Sequence, residues 1–461
     1  MANKKVASKS SGPAPSTDPA VVVLAAGKGT RMNSPIPKVL HPLMGRPIIA
    51  HVLNAARYLK PARLVVVTGY GADQVEEKID SFGAIFARQE NPQGTGQAVQ
   101  TATKELKDFN GPVVILPGDV PLISPQTLLD FLDAHKALGT RLSVLTCRLE
   151  DPSGYGRIIR DKNGWLEKIV EDKDASPQEL TINEINSSIY VIDCQTLKDN
   201  IFNIKNNNAQ KEFYLTDIVA EVRAKGHLSS AVQSPDHLEV QGINDCRELA
   251  FAQTVLRCRV NDSWLFSGVV MDDPATTYIE PSVKLAGGVH LEPGVILTGN
   301  TKVGAKAEIG AYCHLNNVEL DEMVKLAPHM TLNDMRFTDD GHVYELNERG
   351  EIIGQVFCQN GDGADDQGPQ SFAYASKQCD PNIGPLEKDF KGAAVKASKK
   401  PAATKTAPKK PAPKKPAPKK TDSKKSAPNK PVINFSAAAK AKAPAKGGGK
   451  KDPGQSGPGG H

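Results

Sequence analysis

Arg31 and Lys38 share one short connection directly after a glycine loop, in residues 21–44, VVVLAAGKGTRMNSPIPKVLHPLM. Such a grouping handles phosphates. Ala25, Ala26, Gly27 and Gly29 combine small side chains with permissive backbone angles, so main-chain N–H groups can approach an anion closely while the two cations supply fixed charge nearby. The spacing fits neither G-x-x-x-x-G-K-[ST] nor G-x-G-x-x-G, because Met32 stands where the third glycine of the latter would be. ATPase and dehydrogenase chemistry lose ground accordingly. Taken alone, Gly27 and Gly29 also fit an ordinary strand-to-helix turn beside solvated cations. Asp119, in PGDVPLI, is the second chemically apt residue, a carboxylate at the end of an apolar run. A triphosphate there needs Mg²⁺, which accepts one or two protein oxygens alongside substrate phosphates. An isolated aspartate in a turn reads equally as a cap.

The whole string LAAGKGTRM followed by PKVLHPLMGRPIIAHV resembles the first segment of the sugar-1-phosphate nucleotidyltransferases, above all the N-acetylglucosamine-1-phosphate uridyltransferases. The resemblance covers about residues 20–335 and implies a role for each matching position. Leu24, Ala25, Ala26 and Gly27 would wrap the nucleoside triphosphate, and Arg31 and Lys38 would be catalytic, steadying charge at the reacting phosphorus. Asp119 and Asn244, the latter in EVQGIND, would hold Mg²⁺; an amide oxygen binds the cation without a second negative charge beside the phosphates. Gln89, Gly94 and Thr95 in RQENPQGTGQA resemble the uracil-binding segment, where a glutamine offers the donor and acceptor an imide edge requires. Gly156 in DPSGYGRI, Glu171 in KIVEDKDA and Asn186 in EINSSIY would hold the sugar hydroxyls and the N-acetyl group. NNNAQKEFYLTDIV, at 206–219, completes the match.

Outside that pattern Asn244 reads as a turn residue, Gln89 as a loop polar group and Glu171 as a solvated acid. Two departures stand out. Pro117 replaces a tyrosine found in some members and offers no backbone N–H, and Ser187–Ser188 replace the usual Thr-Gly, adding bulk near the acetamide. The sugar is therefore less constrained than the base. The implied reaction is attack of N-acetylglucosamine 1-phosphate on the α-phosphorus of UTP, giving pyrophosphate and UDP-N-acetylglucosamine, a precursor of peptidoglycan and lipopolysaccharide. A related hexose 1-phosphate is the alternative substrate.

Positioning these residues calls for an α/β sheet with ligands beyond the carboxyl ends of its strands. Apolar runs at Val21 to Leu24, 64–70, 113–123 and 142–147 alternate with amphipathic stretches near 47–59, 97–107 and 125–138. The resemblance specifies a Rossmann-like nucleotidyltransferase domain with a mixed, mostly parallel sheet over residues 20–247. Residues 248–264 then read as a linker helix. From Ile279 the period becomes six: Ile279, Leu285, Leu291, Leu297, Val303, Ile309 and Leu315 hold hexad register, which indicates a parallel β-helix, left-handed in the family, within residues 265–335. At roughly 18 residues per coil this makes about two coils, with Leu326 and Leu332 pointing to a third after an insertion. Later coils of bifunctional members bind acetyl-CoA and supply a catalytic histidine; no segment here resembles them, so one activity is expected, without acetyl transfer. Family trimers rest on the solenoid, and a short one leaves a homotrimer open.

Residues 336–390 offer a hairpin, HVYELNERGEIIGQVF, and no assigned chemistry. Residues 1–19 read as a disordered leader. Residues 391–461 hold 19 Lys and 2 Asp, a net +17 that leaves residues 1–390 at −12 within the whole-chain +5. This Lys/Pro/Ala-rich stretch has too little apolar content for a core and reads as a disordered basic tail, either a solubility segment or a weak polyanion-binding arm. A polyanion-binding protein is the rival of another class; absence of Arg and the presence of Phe435 as sole aromatic argue against base stacking. Seven cysteines without a C-x-x-C pair, no signal peptide and no apolar run of spanning length imply free thiols, no membrane span and a cytoplasmic protein.

Overall fold

The computed structural model describes residues 16–356 and the backbone of strand Ser371–Phe372. The basic tail, residues 1–15 of the expected leader, Cys358 and Cys379 lie outside the described residues.

Among the described residues, eleven strands and seven α-helices, joined by short 3-10 turns, make the first part of the chain. They follow as β1 (Ala20–Ala25), the small pair β2 (Pro42–Leu43) and β3 (Arg46–Pro47), α1 (Ile48–Arg57), β4 (Arg63–Thr68), α2 (Ala72–Ile79), β5 (Ile85–Arg88) and α3 (Thr95–Ala102). Next come β6 (Pro112–Pro117), α4 (Pro125–Leu138), β7 (Leu142–Arg148), β8 (Arg157–Arg160), β9 (Leu166–Val170), β10 (Glu184–Asp193), α5 (Cys194–Asn200), α6 (Ile218–Ala224), β11 (Ser229–Gln233) and α7 (Cys246–Phe266).

The main sheet runs β11-β7-β10-β6-β1-β4-β5, with β10 antiparallel to both neighbours and the other pairs along this path parallel. It is the mixed, mostly parallel sheet the sequence implied. Uninterrupted apolar runs such as AVVVLA arise because both faces are covered. Val22 and Ile115 pack with Val99, Leu197 and Val219 on one face; Val21, Val23 and Leu116 pack with Val52, Ile79 and Phe131 on the other. The chain leaves β1 toward β4 and β5, then returns to β6 on the opposite side of β1. That reversal opens a crevice at the carboxyl ends of β1 and β6, the place where open α/β sheets bind ligands.

Helix α7 starts two residues before the expected linker helix and ends two after it, because Asp245 caps it by accepting from the N–H groups of Arg247 and Glu248. Beyond it the β-helix carries three strand columns. Ile279, Leu297, Leu315 and Leu332 fall in one, Leu285, Val303, Leu320 and Phe337 in the second, and Met271, Leu291, Ile309 and Leu326 in the third, all buried.

Two sequence expectations need correction. The register changes at Leu320 by a deletion, not an insertion: Asn317, at φ 55°, turns a corner that Gly299–Asn300 turns one coil earlier, so Val318 fills the place of Thr301. With the coil thereby shortened from 18 to 17 residues, the columns pass through three complete coils, the third the one Leu326 and Leu332 pointed to, and go beyond the expectation by entering a fourth at Leu332 and Phe337. The expected hairpin is present, Val343–Leu346 against Ile352–Val356, and it pairs with Met335–Phe337 to extend the second column.

Candidate active site

Gly29 closes the loop after β1 at φ 63°, and a Cβ there would collide with the Cβ of Lys38. The glycine thus lets the loop after β1 lie directly on the segment that carries the lysine. Arg31 is exposed on the turn Thr30–Met32, while buried Met32 anchors that turn. Leu24 and Ala26 tie the loop down, their carbonyls accepting from Gly118 N–H at 2.8 Å and Tyr70 N–H at 3.2 Å; Ala25 is buried and Gly27 is exposed at the crest.

Lys38 joins three distant parts of the chain. Its Nζ donates to Asp119 Oδ2 and, at 3.2 Å, to Asn244 Oδ1. Asp119 is delivered by the end of β6, and the turn bearing Asn244 is fastened to it by Ile243 N–H donating to the Asp119 carbonyl at 2.8 Å. Two oxygens carrying one negative charge therefore converge on a single cation, here the ammonium. This donor set suits a divalent ion that completes its shell with water and phosphate oxygens. Among the described residues no group of three or more His, Cys, Asp or Glu side chains forms a closed metal cage.

Gln89 is buried at the end of β5, with its N–H on the Thr68 carbonyl at 2.8 Å. Its Nε2 donates to Gln97 Oε1 at 2.7 Å and reaches the Gly94 carbonyl at 3.4 Å. Gly94, at φ 106°, presses against the Phe213 carbonyl, and Thr95 Oγ1 accepts from Leu215 N–H at 3.1 Å. The expected base-binding residues are thus one cluster, held from behind by the 206–219 segment.

Gly156, Glu171 and Asn186 also meet: a Cβ on Gly156 would lie 3.4 Å from Glu171 Oε2 and 3.6 Å from Asn186 Cβ. Asn186 donates from Nδ2 to the Tyr190 hydroxyl at 3.1 Å and accepts Ser188 N–H on Oδ1 at 2.9 Å. A bulge in β10 puts Ser188 at φ 62° beside Asn186, whereas Ser187 turns inward and donates to the Leu145 carbonyl at 2.6 Å. Of the two serines, only Ser188 adds atoms on the Asn186 side, which corrects the expectation for the pair.

Burial pushes the Glu171 carboxyl above its ordinary range, reinforced by Asp217, Asp174 and Asp172 and opposed by the Thr216 hydroxyl, which donates to it at 3.1 Å. The folded protein therefore binds this proton more tightly than the unfolded chain. The associated stability is full below the ordinary carboxylate range and is lost as pH rises through the raised value. Glu171→Gln is expected to melt at a higher temperature than the parent at pH 7.5, with the gap closing near about pH 4. Scanning calorimetry at the two pH values checks this, and equal melting at pH 7.5 counts against it.

Four further groups escaped sequence reasoning. Gln97 and Thr216 orient Gln89 and Glu171, Glu248 accepts Asn244 N–H, and Tyr155 has Glu248, Asp119 and Arg31 among its charged neighbours, its phenol raised chiefly by burial. Tyr155 was visible in GYGRI next to Gly156, and Glu248 stood three residues after Asp245, the spacing of a capping box.

Residues 21–164 match the MobA-like NTP transferase domain. The chain is 42% identical over 322 residues to the bifunctional protein GlmU of Pelobacter propionicus, covering 70% of each. With the GlmU of Geobacter metallireducens the identity is 46% over 288 residues, 62% of this chain and 60% of that one. With that of Corynebacterium diphtheriae it is 38% over 357 residues, 74% and 73% respectively.

Proposed function

Because the chain belongs to the GlmU family and is a nucleotidyltransferase, we propose that it transfers UMP from UTP to N-acetylglucosamine 1-phosphate, releasing pyrophosphate. The observation that carries this reading is the convergence of Lys38, Asp119 and Asn244 below the phosphate loop. Two anionic substrates repel, so the protein's task is alignment and charge neutralisation rather than covalent catalysis. Arg31 and Lys38 meet negative charge on the triphosphate as the sugar-phosphate oxygen attacks the α-phosphorus in line. Gln89, with Gly94 and Thr95, holds the uracil edge, and Gly156, Glu171 and Asn186 hold the sugar. Asp119 and Asn244 would hold Mg²⁺, which would supply Lewis-acid charge to the triphosphate.

Assigned to this activity is the nucleotidyltransferase domain, residues 20–247, with the linker helix and β-helix following. The protein is proposed to work in the cytoplasm without acetyl transfer; among the described residues the second β-helix column passes into a hairpin after Phe337, and no helix is long and apolar enough to cross a membrane. CoA release from acetyl-CoA and glucosamine 1-phosphate would contradict the single activity.

A pyrophosphate-release assay with UTP, Mg²⁺ and a panel of sugar phosphates tests the reading. N-acetylglucosamine 1-phosphate is expected to give the highest kcat/KM, and a preference for another hexose 1-phosphate would replace the sugar assignment. Deleting residues 391–461 is expected to leave that activity within about twofold, since every residue assigned to the reaction lies within residues 20–247 and a basic segment of this composition acts mainly on association. Loss of activity in the shortened chain would place the basic tail in the function.

A further inference from the structure

Asn244 reaches its place beside Asp119 from a turn, Gln241 to Asp245, that belongs to no strand or helix. Ile243 holds that turn on one side through the Asp119 carbonyl. On the other side Glu248, in the first turn of α7, folds back so that its Oε2 accepts the backbone N–H of Asn244 at 2.5 Å. Asp245 Oδ1 reciprocates toward the helix, accepting from Arg247 N–H at 2.8 Å and Glu248 N–H at 3.0 Å. The arrangement is a capping box displaced by one residue, with the returning carboxylate on the candidate metal ligand instead of on the cap itself.

Helix α7 is a fixed base for this contact. Arg259 donates to the Leu122 carbonyl at 2.6 Å, and buried Asn261 donates from Nδ2 to the carbonyls of Pro274 and Thr277 at 2.9 and 3.0 Å. With the helix anchored at its far end, Glu248 ties the backbone N–H of Asn244 to a fixed element.

We infer that Glu248 is a positioning residue that holds Asn244 in its cation-binding orientation by accepting its backbone N–H. This rests on the assignment of Asp119 and Asn244 as the divalent-ion site. An acceptor is what the contact requires, so Glu248→Gln, whose amide oxygen can take the same N–H, keeps the function and Glu248→Ala loses it. The loss falls on the metal first, because removing an outer partner that orients a ligand weakens ion binding by about tenfold or more.

Mn²⁺ alone, titrated into the full chain and followed by electron paramagnetic resonance, reads this directly. In Glu248→Ala the Mn²⁺ Kd is expected to rise about tenfold, and the Mg²⁺ concentration for half-maximal turnover to rise in parallel, with the KM for sugar phosphate unchanged. Glu248→Gln should stay within about threefold of the parent on both measures, below the loss ascribed to a missing outer partner. Parental Mn²⁺ affinity in Glu248→Ala, including the case where only its melting temperature falls, overturns the inference. Equal damage in both variants overturns it too, since charge rather than the acceptor would then matter. Asp119→Ala is the control for the underlying assignment: if it leaves Mn²⁺ binding intact, the metal site itself is misplaced, a failure distinct from that of Glu248.

Discussion

Asp119→Ala is expected to abolish metal-dependent turnover, lowering kcat/KM by on the order of 10³-fold while the chain remains folded. Asp119 supplies the only formal negative charge of the pair Asp119–Asn244, and both oxygens face the same ammonium. Without the carboxylate, a neutral amide is left to hold a divalent ion against competing water. Asp119→Asn should be nearly as inactive, since it keeps the shape and removes the charge. The melting temperature is expected to fall without loss of the fold, because the pair is largely buried, with side chains 13% and 21% exposed, and Lys38 loses its carboxylate partner but keeps Asn244. Pyrophosphate release and a thermal melt on the same preparation check both halves. Full activity in Asp119→Ala would remove the residue from the site.

Lys38→Ala is expected to lower kcat by about 10²-fold with a much smaller change in KM for UTP. The lysine is not an ordinary solvated cation. Pro37 and the turn Lys38–Leu40 fix its backbone, the glycine loop packs on its stem, and its Nζ is drawn to Asp119 and Asn244. On the proposed function, charge held that firmly beside the glycine loop would stabilise the transition state more than the ground state. Lys38→Arg should rescue little, because a planar guanidinium fork is longer and bulkier than the ammonium and does not reproduce its compact point charge on a stem packed against Gly29. Steady-state kinetics separate the terms, and an unchanged kcat in Lys38→Ala would defeat the assignment.

Local residue patterns made much of this architecture readable. The apolar run into Gly27 and Gly29 marked a strand and its loop, because a strand covered on both faces must be continuously apolar and only a small residue can lie against Lys38. Hexad spacing marked the β-helix for the same kind of reason: each coil buries one residue per face. The pattern misled at Leu320, where Asn317 alone turns a corner that two residues turn earlier, and a count by six then lands on Asp321. Antiparallel β10 in the middle of a parallel sheet was also not legible, since EINSSIYVID reads alike in either direction. In the site, residues assigned by loop motifs came together, whereas Gln97 and Thr216 became visible only through their partners. Each acts on a side chain separated from it in sequence, by 8 and 45 residues, and nothing in its own neighbourhood of sequence distinguishes it from a surface polar residue; Glu248 showed only the spacing of a helix cap, with no sign that it would meet Asn244.

Crystals of the full chain grown with Mn²⁺ and a non-hydrolysable UTP analogue would test the central claim most directly, through the anomalous scattering of the ion. The account predicts an anomalous peak about 2.1 Å from oxygens of both Asp119 and Asn244, the phosphates over Gly27 and Lys38, and the uracil edge on Gln89. A peak away from Asp119 and Asn244, or a nucleotide bound elsewhere on the chain, would contradict it.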